Sequence, residues 1–286
     1  MKDLKPIQLS DNIVWISVNA SLVFSEGQGI LIDTSFSTEN LKLILKTLKQ
    51  LHITNLIILN THRHYHHAAN NKLLLETFPN TKIYAPKWQY NCEKNKDKLK
   101  LILENTQTLI LDNADIRVQV LHSGGHTVGH TMYLVRDNKK ILFTGDILHT
   151  ISQLYSSIGP IPHIERPSIN LFNQYLEAIE VIKKVRPHIV CGHTCVGTCG
   201  ELTWSIIRKT ERVIRRINEL IEEHWRNYLS EQEIARRVFI DICNEMMYNP
   251  NLRFAEKLES GKTVYEQYDL PLLLAMIKKH KQSVGS

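Results

Sequence analysis

Thr61-His62-Arg63-His64-Tyr65-His66-His67-Ala68-Ala69-Asn70-Asn71 follows directly on the apolar run Leu56-Ile57-Ile58-Leu59. The run reads as a buried strand that delivers four histidines at its C-terminal end. Alternate positions on an extended segment point the same way, so His62 and His64 can grip one ion together. His66 and His67 lie one step further on and can face a second ion. An affinity tag would sit at a terminus, and a polar surface loop does not usually follow a buried strand with such a cluster. Metal binding is therefore the reading to carry outward along the chain.

The same pattern recurs three times. A strand over Ile116 to Leu121 runs into His122-Ser123-Gly124-Gly125-His126-Thr127-Val128-Gly129-His130, where paired glycines let the backbone turn sharply and bring a side chain close to a ligand. Met132 to Val135 and Lys140 to Thr144 pair as a hairpin around Asp137-Asn138, and the second strand ends in Thr144-Gly145-Asp146. A helix from about Ser168 to Lys184 precedes Arg186-Pro187-His188-Ile189-Val190-Cys191-Gly192-His193. Metal-capable groups thus arrive on separate strand ends: His62, His64, His66, His67, His126, Asp146 and His193.

Around these motifs the chain alternates strands and helices. Residues 7 to 34 alternate apolar and polar positions and turn through Glu26-Gly27-Gln28-Gly29, an antiparallel start. Ser37 caps a helix with Leu41, Ile44, Leu45, Leu48 and Leu51 on one stripe. A short helix through Leu73 to Phe78, a strand at Lys82 to Ala85 and a lysine-rich exposed segment from Lys94 to Lys100 come next, then a strand at Thr108 to Leu111. Beyond Glu201 the pattern is helical: a stripe of Ile207, Val213, Ile214, Ile217, Leu220 and Ile221, a capping box at Ser230 to Glu233, and a last helix begun near Pro271. The aromatics of this tail, Trp204, Trp225, Tyr228, Tyr265 and Tyr268, read as core.

With 43% hydrophobic and 22% charged residues in 286, the composition is that of an ordinary globular protein. No stretch approaches the roughly 20 apolar residues that span a bilayer, so a cytoplasmic protein is expected. An odd number of cysteines, five, argues for reduced thiols over a disulfide framework. Cys191, Cys195 and Cys199 flank His193 but lack a second ligand pair, so they read as packing residues. The surplus of +6 is spread along the chain, without the basic cluster that nucleic acid requires. No nucleic acid or membrane partner is expected; the oligomeric state is left open.

The order T-H-x-H-x-x-H, G-G-H-T-x-G-H, T-G-D, C-G-H resembles the metallo-β-lactamase superfamily, over about residues 7 to 200. That resemblance implies an α/β (α+β) fold, the four-layer αββα sandwich, in residues 1–200; with no internal repeat and no low-complexity linker in the chain, residues 201–286 are expected to be a helical extension packed on it. It also implies a binuclear centre: His62, His64 and His126 on the first metal, His67 and His193 on the second, Asp146 bridging. His130 and Asp33 would support those ligands. Zinc is the default ion, one or two per chain, with iron or manganese compatible with mixed histidine and aspartate donors. One position departs from the family pattern, since His66 stands where H-x-H-x-D-H has its aspartate and brings no negative charge. The second ion should therefore be held less tightly.

The bridging aspartate, which true β-lactamases of this fold generally lack, argues against antibiotic hydrolysis. Neither the glyoxalases' lysine and phenylalanine loop nor the lactonases' tyrosine follows Thr144-Gly145-Asp146; His149 stands three residues beyond the aspartate. The implied activity is cleavage of a small-molecule ester, thioester or lactone by metal-bound hydroxide. Asp146 and His66 are candidate catalytic groups, with His149 a candidate proton donor. The alternative is a catalytically lapsed relative with a binding or assembly role.

Overall fold

The computed structural model describes residues 5–86, 101–103, 107–111, 116–149, 164, 168–193, 195–197, 201–227, 229–245, 249, 251–255, 257–258, 260–263 and 265–284. The lysine-rich segment at 94–100, Cys92, Cys199 and Tyr228 lie outside these residues.

One sheet holds β1 (Ile7–Ser10), β2 (Ile13–Ser17), β3 (Ala20–Ser25), β4 (Gln28–Ile32), β5 (Asn55–Leu59), β6 (Lys82–Pro86) and β7 (Leu101–Leu103), in that order. The first four strands pair antiparallel through tight turns, as the alternation predicts. Helix α1 (Thr38–Gln50) then carries the chain across, and β4, β5, β6 and β7 run parallel. The Ser37 hydroxyl caps α1 by accepting the Asn40 N–H at 3.1 Å. Two short helices, α2 (Tyr65–Ala68) and α3 (Asn71–Thr77), lie between β5 and β6.

The second sheet runs in the order β13 (Cys195–Gly197), β12 (Ile189–His193), β11 (Lys140–His149), β10 (Thr131–Arg136), β9 (Ile116–His122), β8 (Thr108–Leu111). Helix α4 (Ile169–Val185) makes β12 parallel to β11; the other pairings are antiparallel. The tail folds as α5 (Glu201–Trp225), α6 (Glu231–Glu245), α7 (Asn251–Ala255), a π-helical turn (Tyr265–Asp269) and α8 (Leu270–Val284). A buried, two-pronged ion pair from Arg253 to Asp269, at 2.9 and 3.0 Å, ties α7 to that turn.

Most strands bury apolar side chains on both faces, inward between the sheets and outward against helices, while β8 and β9 leave Ile110 and Arg117 exposed. On β2, Ile13 and Trp15 face the opposite sheet and meet Val118, Val120, Tyr133 and Phe143. Val14 and Ile16, one position over, face outward onto Leu41, Ile44 and Leu48 of α1. On β10, Tyr133 and Val135 point inward, while Met132 and Leu134 point outward into a third core. That third core unites α4 with the tail, through Ile207, Ile217, Leu220, Val238, Ile242, Leu273 and Ile277. Trp204, Trp225 and Tyr265 belong to it, as the helical spacing of the aromatics predicts; the Tyr268 side chain is outside the described residues. The layers are therefore helix, sheet, sheet, helix.

This register puts the functional positions at one edge. Ile32 of β4 is level with Leu59 of β5, so Asp33 and the 61–67 segment leave the sheet together. Gly145 of β11 is level with Gly192 of β12, which sets Asp146 beside His193. The strand does not stop at Asp146 as the T-G-D pattern suggests; it continues to His149 through register shifts around Gly145. Gly145 sits at φ +49°, and a Cβ there would lie 2.6 Å from His130 Nε2 and 2.9 Å from Thr61. Glycine at 145 leaves room for both side chains, and lets His130 Nε2 accept the Asp146 N–H at 3.2 Å.

Candidate metal centre

Past β5 the chain leaves extended geometry sooner than alternate histidines suggest. His64, at φ −61° and ψ 146°, caps the single turn of α2, and that turn carries His66 and His67. The His67 carbonyl accepts the Thr34 N–H at 2.8 Å and the Asn60 amide at 3.2 Å, which pins the turn against β4 and β5. His126 lies in the loop between β9 and β10, where Gly124 and Gly125 take φ +60° and +86°. A Cβ on Gly125 would meet the Tyr175 Cα at 2.7 Å, so α4 packs directly on the loop that aims His126.

The imidazoles converge in two groups. In one, His62 Nε2 and His126 Nε2 lie 2.9 and 3.0 Å from His64 Nδ1, and 3.7 and 3.3 Å from Asp146 Oδ2. In the other, His67 Nε2 and His193 Nδ1 lie 3.0 and 2.6 Å from Asp146 Oδ1, and 3.3 Å from each other. His66 completes this second group, its ligand atom within 4.8 Å of the others. Tetrahedral zinc with bonds of about 2.0–2.1 Å places its donors roughly 3.3 Å apart. The observed spacings bracket that value, so both donor sets fit a divalent ion. Asp146 offers one oxygen to each group.

Surrounding groups decide which nitrogens are available. Asp33 accepts the Thr61 N–H at 2.7 Å and the Thr61 hydroxyl at 2.8 Å, and lies 2.6 Å from His67 Nδ1. That carboxylate holds the proton on Nδ1 and leaves His67 Nε2 facing the centre. Having donated its hydrogen to Asp33, the Thr61 hydroxyl accepts from His62 Nδ1 at 3.1 Å, which frees His62 Nε2 in the same way. Buried His130 accepts the Asp146 N–H on Nε2 at 3.2 Å, while its Nδ1 lies 2.9 Å from Ser123 Oγ. Asp33 and His130 thus support the centre without joining either group.

Charge is balanced around the buried carboxylate. Burial alone would raise the Asp146 pKa, but His67, His62 and His126 hold it well below the usual carboxylate range. Burial, and then the neighbouring His67, push His62 well down, and push His66 down to about 4. His66 is therefore neutral near pH 7, with a lone pair to give, but supplies no anion. Burial also works against a charge on His67, yet Asp146 and Asp33 outweigh it and raise its pKa to about 10. His66→Asp is expected to tighten retention of an ion at the second group by at least about tenfold, since a unit charge some 4 Å from a cation is worth several kcal/mol even where screening is substantial. Chelator competition on the two proteins reads this directly; unchanged retention would mean the imidazole serves as well as a carboxylate.

Two participants are not among the ligands or supporting groups that the motifs single out. Asn19, at φ +53° between β2 and β3, places its amide 3.1 Å from His67 Nε2, and Thr61 links Asp33 to His62 and His67. Cys191 is buried between the sheets, as a packing residue should be; the side chains of Cys195 and His149 lie outside the described residues. The His149 backbone pairs with His193 at the end of β11. Among the described residues no helix is long and apolar enough to cross a membrane.

Comparison with known proteins agrees with this architecture. A hydroxyacylglutathione hydrolase of Prochlorococcus marinus is 25% identical over 186 residues, which cover 59% of this chain and 68% of that protein. One from Actinobacillus pleuropneumoniae is 30% identical over 149 residues, 52% of this chain and 55% of that protein. The chain thus spans between half and two thirds, or slightly more, of the length of these curated relatives. Among solved structures, a B3 metallo-beta-lactamase with an active-site glutamic acid superposes with a TM-score of 0.55 at 14% identity, covering 74% of this chain and 89% of that one. DIM-1 metallo-beta-lactamase gives 0.55 at 19% identity, covering 73% and 95%. At such identities the likeness is one of fold. The family profile described as the Metallo-beta-lactamase superfamily matches residues 13–193, which hold the two sheets except for β1 and β13 together with every histidine of the two groups, and the chain belongs to that superfamily.

Proposed function

We propose that this protein is a metal-dependent hydrolase that cleaves a small ester, thioester or lactone at a two-ion centre, with zinc as the resident metal. The observation that carries the reading is the sharing of Asp146, with Oδ2 turned to His62, His64 and His126 and Oδ1 to His67 and His193. Bound there, divalent metal supplies Lewis acidity for a substrate carbonyl and lowers the pKa of water from 15.7 toward about 7. The chain's own part is positional. Asp33 and Thr61 fix the protons of His67 and His62 on the far side of each ring, and His130 anchors the Asp146 backbone.

Three exposed apolar side chains belong to the segments that carry the ligands or their supporting groups: Phe36, Tyr65 and Val128. Phe36 and Tyr65 stand 6.5 Å apart, centroid to centroid, and give an acyl group an apolar surface to rest on. A thioester ranks first because the curated relatives are named for hydroxyacylglutathione, itself one. His149, three residues beyond Asp146, remains the candidate proton donor to the leaving group.

A substrate panel tests the reading: acyl thioesters, p-nitrophenyl esters, lactones and a cephalosporin, offered to zinc-loaded protein. Turnover of at least one of the first three classes is expected, abolished by chelator and restored by zinc, with no cephalosporin cleavage. Silence across the panel from a fully loaded protein would favour the lapsed alternative.

A further inference from the structure

The second group lacks an anionic ligand at position 66, and the structure holds another donor against it. The Asn19 amide nitrogen, Nδ2, lies 3.1 Å from His67 Nε2 and 3.3 Å from the His66 carbonyl oxygen. The first of these distances is that between neighbouring ligands of one ion, since His67 Nε2 and Asp146 Oδ1 are 3.0 Å apart. With His67 Nδ1–H engaged by Asp33, Nε2 is the ring nitrogen that turns toward both the Asp146 carboxylate and the Asn19 amide.

That arrangement cannot outlast a cation on Nε2. A metal bound to Nε2 would lie beside the amide nitrogen, and the electropositive NH2 would then point at an ion. Half a turn about the Cβ–Cγ bond exchanges Nδ2 for Oδ1 with almost no change of shape, and turns the repulsion into attraction. The bond forfeited, to the His66 carbonyl, is long. There is room for the turn: Asn19, Asp33, Thr61, His67 and Gly145 line a cavity of about 20 Å³, the space of a single water. The hairpin that presents Asn19 is fixed from below, because the Asn19 carbonyl accepts the Ser35 N–H at 3.0 Å. We propose that the Asn19 side-chain oxygen is a ligand of the second ion, joining His66, His67, His193 and Asp146 in place of the missing carboxylate.

This rests on the two-ion reading, and the experiment separates the two failures. Zinc is titrated into chelator-stripped protein, by calorimetry, for the wild type, Asn19→Gly and Asn19→Asp. Glycine and aspartate both tolerate the positive φ, so neither variant strains the turn. The second zinc should bind about tenfold more weakly, or worse, to Asn19→Gly, and more tightly to Asn19→Asp, with the first zinc unchanged in both. A crystal structure of the zinc-loaded wild type should show Oδ1 bonded to the second ion. A wild type that takes up one zinc overturns the two-ion reading and this inference with it. A wild type that takes up two, with an equal second affinity in Asn19→Gly or with Nδ2 still on the His66 carbonyl, overturns the inference alone.

Discussion

His126→Ala is expected to lose its tightly held metal and, with it, hydrolysis. The His126 ring is fully buried, is aimed by a loop locked between two positive-φ glycines and α4, and places Nε2 3.0 Å from His64 Nδ1. Alanine removes one of three nitrogens and leaves a void in its place. Losing a group that merely hydrogen-bonds to a metal ligand typically costs roughly 10–100-fold in affinity, so removal of a ligand itself should exceed that range. Elemental analysis after dialysis against a weak chelator reads the metal, and a thioester assay reads the rate. His130→Ala makes the informative comparison: it withdraws support from the Asp146 backbone while every nitrogen of both groups remains, so it should be the milder of the two. A His126→Ala protein that retained the wild-type metal content would remove His126 from the centre.

A chain ending at residue 200 is expected to be insoluble or unfolded. The tail covers the outer face of the second sheet and α4, where Met132, Leu134, Leu142, Leu171, Phe172, Ile179 and Ile182 share a core with Ile217, Leu220, Val238, Leu273 and Ile277. Helix α5 packs on β11, and α8 packs on α4. Burying a large apolar side chain is worth roughly 1.5–3 kcal/mol. Uncovering even half of those seven positions would cost on the order of 10 kcal/mol, comparable to the roughly 5–15 kcal/mol that holds a whole domain together. Size-exclusion chromatography of the expressed fragment decides it. A soluble, monomeric and equally active fragment would mark the tail as a separate module.

Much of this was readable from the chain because the donors are concentrated in short motifs that follow strands. The apolar run before Thr61, the Gly124-Gly125 pair and the Ser37 cap each have a local cause, and each appears where that cause puts it. What the sequence hides is set by long-range packing. The helical turn that presents His66 and His67 is held by Thr34 and Asn60, residues of other elements, so the extended reading of 61–67 holds only as far as His64. β11 runs on past Asp146 because β12 continues to pair beside it, through an irregular register no local pattern records. Asn19 looks like an ordinary turn residue, and its nearness to His67 exists only once the β2–β3 hairpin packs beside α2. The amphipathic stripes of the tail announce that something is buried but not that the partner is the second sheet.

Diffraction data from zinc-loaded crystals, collected on both sides of the zinc absorption edge, test the central claim most directly. Two anomalous peaks are expected, one among His62, His64 and His126 and one among His66, His67 and His193, with Asp146 between them. A single peak, or peaks away from Asp146, would contradict the two-ion centre on which the proposed hydrolysis depends.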